Sequence, residues 1–307
     1  VTLILTVNGP ETIWLLADRR LSYPNHPPRD DGRKVMILET TDGVSLLGYA
    51  GLGATSLGTE PADWMSNVLR GRNLPLEPLL GVLAAAVEKQ LPRHLIRLPV
   101  GSAPAHTVVA ASFVDGKPSL HTIDLVMEPD RRNYHFRFTR HIVEWKTSSV
   151  LKPPRVAIAG SGGLCLQRDT KWKRPLLNIV RASEDGKVSP YAVADHLARI
   201  NNDVHIGIRD KSVGPSCIVA WQHRKEGARK GGGGGQFYTG TTRDGDSPEL
   251  PTISRGDDIS ALIGVMMPHF MKNLEAMQLG EPASDFDEAQ INEDLAKLPD
   301  RPDENLR

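Results

Sequence analysis

Three side chains near the start of the chain have the types and spacing that a reaction needs. Thr2 supplies a hydroxyl, Asp18 a carboxylate sixteen residues on, and Lys34 an ammonium thirty-two residues on from the threonine. A threonine hydroxyl becomes a nucleophile when a free α-amine beside it serves as the base. A nearby ammonium favours the charged form of such a hydroxyl, and a carboxylate holds the ammonium in place. Taken singly, each residue has an ordinary reading. Thr2 suits a strand by its β propensity, Asp18 would pair with Arg19 or Arg20 as most such charges do, and Lys34 would be a solvated lysine. Only the joint spacing raises the three above that.

Elements must bring these residues together. Thr2-Leu3-Ile4-Leu5-Thr6-Val7 reads as a strand, Asn8-Gly9-Pro10 as a hairpin turn, and Ile13 to Ala17 as a strand buried on both faces. Residues 22–33 are a polar, proline-rich loop. Strands follow at 35–38 and 44–50, with Gly48, Gly51 and Gly53 where backbone must pass close to something. Helical periodicity marks 56–69 and 76–95. Strands return at 106–114, 119–127, 134–143 and 155–159, closed by Gly160-Ser161-Gly162-Gly163. A helix starts near Leu164, and Ser189-Pro190 opens another over 191–202. The loop Arg209 to Gly214 then leads into the strand 217–221. Blocks of strands and helices, rather than strict alternation, predict antiparallel sheets with segregated helices.

The 307 residues hold 37 Lys+Arg against 37 Asp+Glu, so the net charge is zero. That argues against nucleic acid or an anionic membrane as a general partner. With 39% apolar and 24% charged residues the composition is that of a globular protein, and no stretch reaches membrane-spanning length. Cys165 and Cys217 make neither a disulfide framework nor a metal site and read as small core residues, which points to the cytoplasm. The ten histidines show no ligand spacing, so no metal and no cofactor is expected. Lys171, Lys173 and Arg174 around Trp172 read as a solvated face or a subunit contact.

Over residues 2–222 the chain resembles proteasome β-type subunits and their bacterial relatives in the N-terminal nucleophile (Ntn) hydrolase superfamily. Thr2, Asp18 within Ala-Asp-Arg-Arg, and Lys34 fall at the family's spacing for its nucleophile, aspartate and lysine. Gly51 in Tyr-Ala-Gly is similar to the glycine whose amide forms the oxyanion hole, and Ser161 in Gly-Ser-Gly to the serine that supports the nucleophile's amine. Asp210 and Ser212, ahead of Gly214, are similar to the second supporting loop, with the serine position falling at Ser212 or displaced to Val213. The resemblance implies an α+β fold, a four-layer α-β-β-α sandwich of two antiparallel sheets. It implies a threonine-type peptidase or amidohydrolase acting on a peptide or small amide, and self-association into a ring or double layer.

One departure matters. Val1 precedes Thr2, so the nitrogen of Thr2 is an amide and cannot accept a proton. Either Val1 is removed, or another base serves, or the chain is a catalytically inactive subunit kept for assembly or partner binding. Beyond the Ntn domain at 1–222, residues 223–256 with their glycine run 231–235 read as a flexible connector. Residues 257–307 read as an amphipathic helix kinked at Pro268 that could dock on a neighbouring subunit, then an acidic, solvated tail.

Overall fold

The computed structural model describes residues 2–23, 26–51, 59–95, 106–127, 134–141, 155–226, 231–245, 249–279 and 288–298. In chain order the elements are β1 (Ile4–Asn8), β2 (Thr12–Asp18), β3 (Leu21–Tyr23), β4 (His26–Arg29), β5 (Val35–Glu39), β6 (Gly43–Ala50), α1 (Pro61–Leu69), α2 (Leu76–Leu95), β7 (Thr107–Val114), β8 (Lys117–Met127), β9 (Tyr134–His141) and β10 (Arg155–Ala159). They continue as α3 (Ser161–Arg168), α4 (Lys173–Glu184), α5 (Pro190–Gly207), β11 (Ser216–His223), β12 (Gly233–Thr239), β13 (Thr242–Arg243), β14 (Thr252–Ser254), β15 (Asp257–Asp258), α6 (Ile259–Gln278) and α7 (Glu288–Ala296).

Period-2 burial explains the layers. The side chains of Leu3, just ahead of β1, and of Leu5 and Val7 within it face one way, and in β2 Trp14 and Leu16 join them, against Leu176, Val180, Val193, Leu197 and Val204 of α4 and α5. The alternate residues Ile4, Ile13, Leu15 and Ala17 face the other way, against Val35, Leu46, Val109 and Phe113 of the second sheet. That second sheet turns Met36, Leu38, Leu47 and Val108 outward onto Met65, Leu79, Leu80 and Leu83 of α1 and α2. The result is helix, sheet, sheet, helix: an α+β four-layer sandwich. Because β2 packs on both faces, its seven residues are all buried.

The first sheet has the order β10-β1-β2-β11-β12-β13 and the second β15-β14-β5-β6-β7-β8-β9, while β3 and β4 form a separate hairpin. The first is antiparallel throughout. The second departs from the expected all-antiparallel pattern at one place, where β14 lies parallel to β5. A parallel pair needs a long crossover, and here the chain supplies one, leaving β5 at residue 39 and returning at 252.

Several expectations are corrected. Residues 22–33 are not loop alone, since β3 and β4 occupy part of them. Helix α1 starts at Pro61, behind Glu60, and residues 56–58 of the longer expected helix lie outside the described residues. The expected strand 134–143 ends at His141, and its last two residues lie outside as well. Helix α3 starts within the Gly160–Gly163 run rather than at Leu164, and α5 extends to Gly207. The glycine run is not a flexible connector: after a turn in which Gly231 and Gly232 take positive φ, Gly233–Gly235 enter β12 and pair with Trp221, Gln222 and Ala220 of β11. A Cβ at Gly234 would lie 2.5 Å from the Trp221 indole. The strand is glycine because the neighbouring tryptophan needs that room. Helix α6 runs through Pro268, and part of the expected solvated tail forms α7, which buries Ile291.

Candidate active site

Three elements aim Thr2, Asp18 and Lys34 at one point. Asp18 ends β2 and is fully buried; Thr2 enters β1 and is 1% exposed; Lys34 leads into β5 and is 3% exposed. Lys34 Nζ donates to Thr2 Oγ1 at 2.7 Å and to Asp18 Oδ1 at 3.3 Å. The hydroxyl is therefore already in contact with an ammonium in a dry environment, where such a contact is electrostatically stronger than in water.

The Asp18 carboxylate is held by backbone as well as by the lysine. Oδ1 accepts from Leu3 N–H at 2.7 Å, and Oδ2 accepts from Arg20 N–H at 3.1 Å and Gly214 N–H at 3.2 Å. One side chain thereby ties β1, β2 and the loop ahead of β11. Arg20 adds a second tie: its guanidinium grips Asp30 with two 2.7 Å bonds and donates to the carbonyl of Lys211 at 2.7 Å. Arg19 takes a structural part, donating to the Asp31 carbonyl at 2.8 Å and lying 4.1 Å above the Phe237 ring.

The main chain of Thr2 is fixed from the other side. Its N–H donates to Ser161 Oγ at 3.2 Å, and its carbonyl accepts from Gly162 N–H at 3.2 Å. Ser161 Oγ lies 2.9 Å from Ser212 Oγ, and Ser212 N–H donates to Asp210 Oδ1 at 3.0 Å. Ser212 is thus the residue of this loop that meets Ser161, while Val213 is buried in the core against the helices. The Gly160-Ser161-Gly162 run meets this approach: a Cβ at Gly160 would press on the Thr2 carbonyl, and one at Gly162 would sit 2.9 Å from Leu3 Cβ.

Gly51 follows Ala50, whose Cβ would lie 3.5 Å from a side chain at Gly160, so the end of β6 reaches the same region. A Cβ at Gly51 would press on His106 Nδ1 and lie 2.7 Å from Tyr49 Oη. Those two groups are 2.8 Å apart. Sequence spacing gave no sign of them; the signal is a half-buried polar pair beside a glycine.

Burial sets the charges. Desolvation pulls the Lys34 pKa below its usual 10.5, and Asp18 offsets part of that pull. Desolvation holds the His106 imidazole down to about 4, so it is neutral near pH 7. Cys217, paired across the sheet with Asp18, has its thiol pushed up by burial and is unreactive. Trp172 is a packing residue, its indole N–H donating to the Leu166 carbonyl at 2.9 Å. Among the described residues no three or more His, Cys, Asp or Glu side chains gather as a metal site would, and no helix is long and apolar enough to cross a membrane.

No protein-family model matches the chain, and no curated protein matches it in sequence. Solved structures do. Anbu (ancestral β-subunit) from Yersinia bercovieri matches with TM-score 0.45 and 11% identity over 92% of this chain and 99% of that one. Anbu from Pseudomonas aeruginosa, solved as a helical assembly, matches with TM-score 0.39 and 12% identity over 92% and 98%. A Gly-1 mutant of Anbu from Hyphomicrobium sp. strain MC1 matches with TM-score 0.42 and 11% identity over 72% and 80%. The resemblance to proteasome β-type subunits is corrected by these findings: no family model supports that assignment, and the structural neighbours are Anbu proteins. What stands is the four-layer fold itself, two sheets packed between helix layers. At such identities and TM-scores the likeness says nothing of this chain's chemistry.

Proposed function

We propose that this chain is an amide-bond hydrolase of the N-terminal nucleophile type, with Thr2 Oγ1 as nucleophile once its own α-amine is free. The observation that carries this reading is the buried contact of Lys34 Nζ with Thr2 Oγ1 at 2.7 Å, backed by Asp18 at 3.3 Å. The freed amine takes the hydroxyl proton as Oγ1 attacks the substrate carbonyl. Lys34 stabilises the negative charge that grows on Oγ1. Asp18 orients Lys34 and, through Leu3 and Gly214, the strand and loop around it. The amide N–H of Gly51 serves as the oxyanion donor, a contribution of about 3 kcal/mol for one such group. The proton on the amine then passes to the leaving nitrogen, the C–N bond breaks, and an ester on Thr2 remains. Water, with the same amine as base, cleaves that ester and restores the hydroxyl. Ser161, Ser212 and Asp210 hold the amine in position during both steps. Substrates are peptides or small amides, and the working form is a homo-oligomer in the cytoplasm.

The test is a chain processed so that Thr2 is its first residue, treated with a β-lactone that esterifies nucleophilic threonine. Mass spectrometry should find one adduct, on the Thr2 peptide, absent in Thr2→Ala and in the chain that keeps Val1. A folded protein with a free Thr2 amine that takes no label and cleaves no peptide or amide library would overturn the proposal, leaving the inactive-subunit reading.

A further inference from the structure

Helix α6 is anchored at its start and exposed along its length. Arg70 grips Asp258 at 2.7 and 3.1 Å, Asp258 Oδ1 caps the Ala261 N–H at 3.0 Å, and Ser260 Oγ accepts from Thr252 N–H at 2.9 Å. These bonds fix the first turn to α1 and β14. Helix α7 covers one side of α6, burying Ile291 and bringing Asp294 to 3.7 Å from His269. Another face carries Ile263, Met267, Phe270, Leu274 and Met277, spaced 4-3-4-3, with Met271 beside them; all six are 47–60% exposed. That spacing is the a/d seam of helices that pack along their length.

We propose that this seam is a docking surface for the same seam of a second copy of the chain, the two α6 helices crossing a two-fold axis near residues 270 and 271. The amount of surface fits. Six half-exposed side chains of roughly 200 Å² each present about 600 Å², so two copies together cover about 1,200 Å², the lower end for a specific interface. The charge pattern fits as well. The positions flanking the seam, Gly264, Met266, Met271, Asn273 and Gln278, are all uncharged. Two copies therefore meet without like charges opposed, and a charged partner peptide finds nothing complementary. A helix built for a membrane surface carries several Lys or Arg on its polar face, whereas α6 has Lys272 alone. Pro268 falls one position past Met267, off the seam. An isologous contact returns the centre of the stripe to itself.

The inference is independent of any chemistry at Thr2. It is tested on the full chain by sedimentation and by crosslinking. In a Cys165→Ser background, Met271→Cys should form an interchain disulfide on mild oxidation, and Lys272→Cys, on the outer face, should not. Met267→Glu with Leu274→Glu should keep the helical circular dichroism signal and lower the assembled mass at least twofold, to 33.6 kDa if this is the sole contact. A wild-type chain that stays monomeric at 100 μM, an unchanged mass in the double variant, or equal crosslinking at 271 and 272 would overturn the proposal. So would binding of the wild type, but not the variant, to vesicles of zwitterionic and anionic lipid with no self-association.

Discussion

Replacing Asp18 by Asn tests how the buried cluster is held. The carboxylate accepts from Leu3 N–H and Lys34 Nζ on Oδ1 and from Arg20 and Gly214 N–H on Oδ2. An asparagine offers one acceptor oxygen and one donor NH₂, so in either orientation the NH₂ faces donors. Leaving one buried N–H unsatisfied costs about 1–3 kcal/mol, and leaving a buried cation without its partner costs about 3–5 kcal/mol. The second cost falls when Lys34 gives up its proton, which burial already encourages. Asp18→Asn should therefore lose about 3–5 kcal/mol near pH 6, and the loss should shrink as pH rises. Adding Lys34→Met removes the stranded cation, so the double variant should be more stable than Asp18→Asn alone. Urea unfolding of the four proteins of this cycle at pH 6 and pH 9 gives the answer. If the double variant is no more stable than the single, and the single loses equally at both pH values, the account of a charge held by Asp18 is wrong.

Other outcomes follow from the same contacts. The native Lys34 releases its proton at lower pH than the usual 10.5 of the unfolded chain, so the unfolded state binds more protons in that window. Unfolding free energy should rise with pH there, by up to about 1.4 kcal/mol per pH unit, and this rise should be absent in Lys34→Met. Gly160→Ala meets both a φ of 84° and the Thr2 carbonyl. It should lose about 1–3 kcal/mol by chemical denaturation and reduce β-lactone labelling of Thr2. Glu184 accepts from Thr12 N–H at 3.0 Å and Glu11 N–H at 3.2 Å at the turn between β1 and β2. Glu184→Ala should cost about 1–3 kcal/mol, read by thermal unfolding, with Thr2 labelling unchanged in the folded protein.

The parts of the fold legible in the sequence are those where side-chain pattern and burial coincide. The run Ile13 to Ala17 announces a strand buried on both faces because β2 lies between two layers. The spacing of Thr2, Asp18 and Lys34 was readable because each stands at the end of, or beside, such a strand. The backbone donors around Asp18 were not, since an N–H at Leu3 or Gly214 leaves no mark in residue type. In strand β12 the pair Phe237-Tyr238 reads as a short edge strand, but the glycine half, Gly233–Gly235, was hidden because glycine is poor strand material, and its reason lies in Trp221, a residue on another strand. The parallel return of β14 to β5 was hidden too, because three residues, Thr252–Ser254, are too few to show a pattern. Helix α7 escaped because its acidic composition resembles that of a solvated segment, and one side chain, Ile291, decides its docking.

The pairing order of the first sheet has a consequence for synthesis. Strand β1 pairs with β10 and β2 with β11, partners that are translated some 150 to 200 residues later. Asp18 receives its last backbone donor from Gly214, and Ser161 its neighbour from Ser212. A nascent chain shorter than this has the threonine, aspartate and lysine but not the Ser161, Ser212 and Gly214 contacts around them, and two strands with open edges. Such long-range closure makes folding slow and late. The ribosome thus releases the cluster's parts in an order that keeps it incomplete until Gly214 has been made.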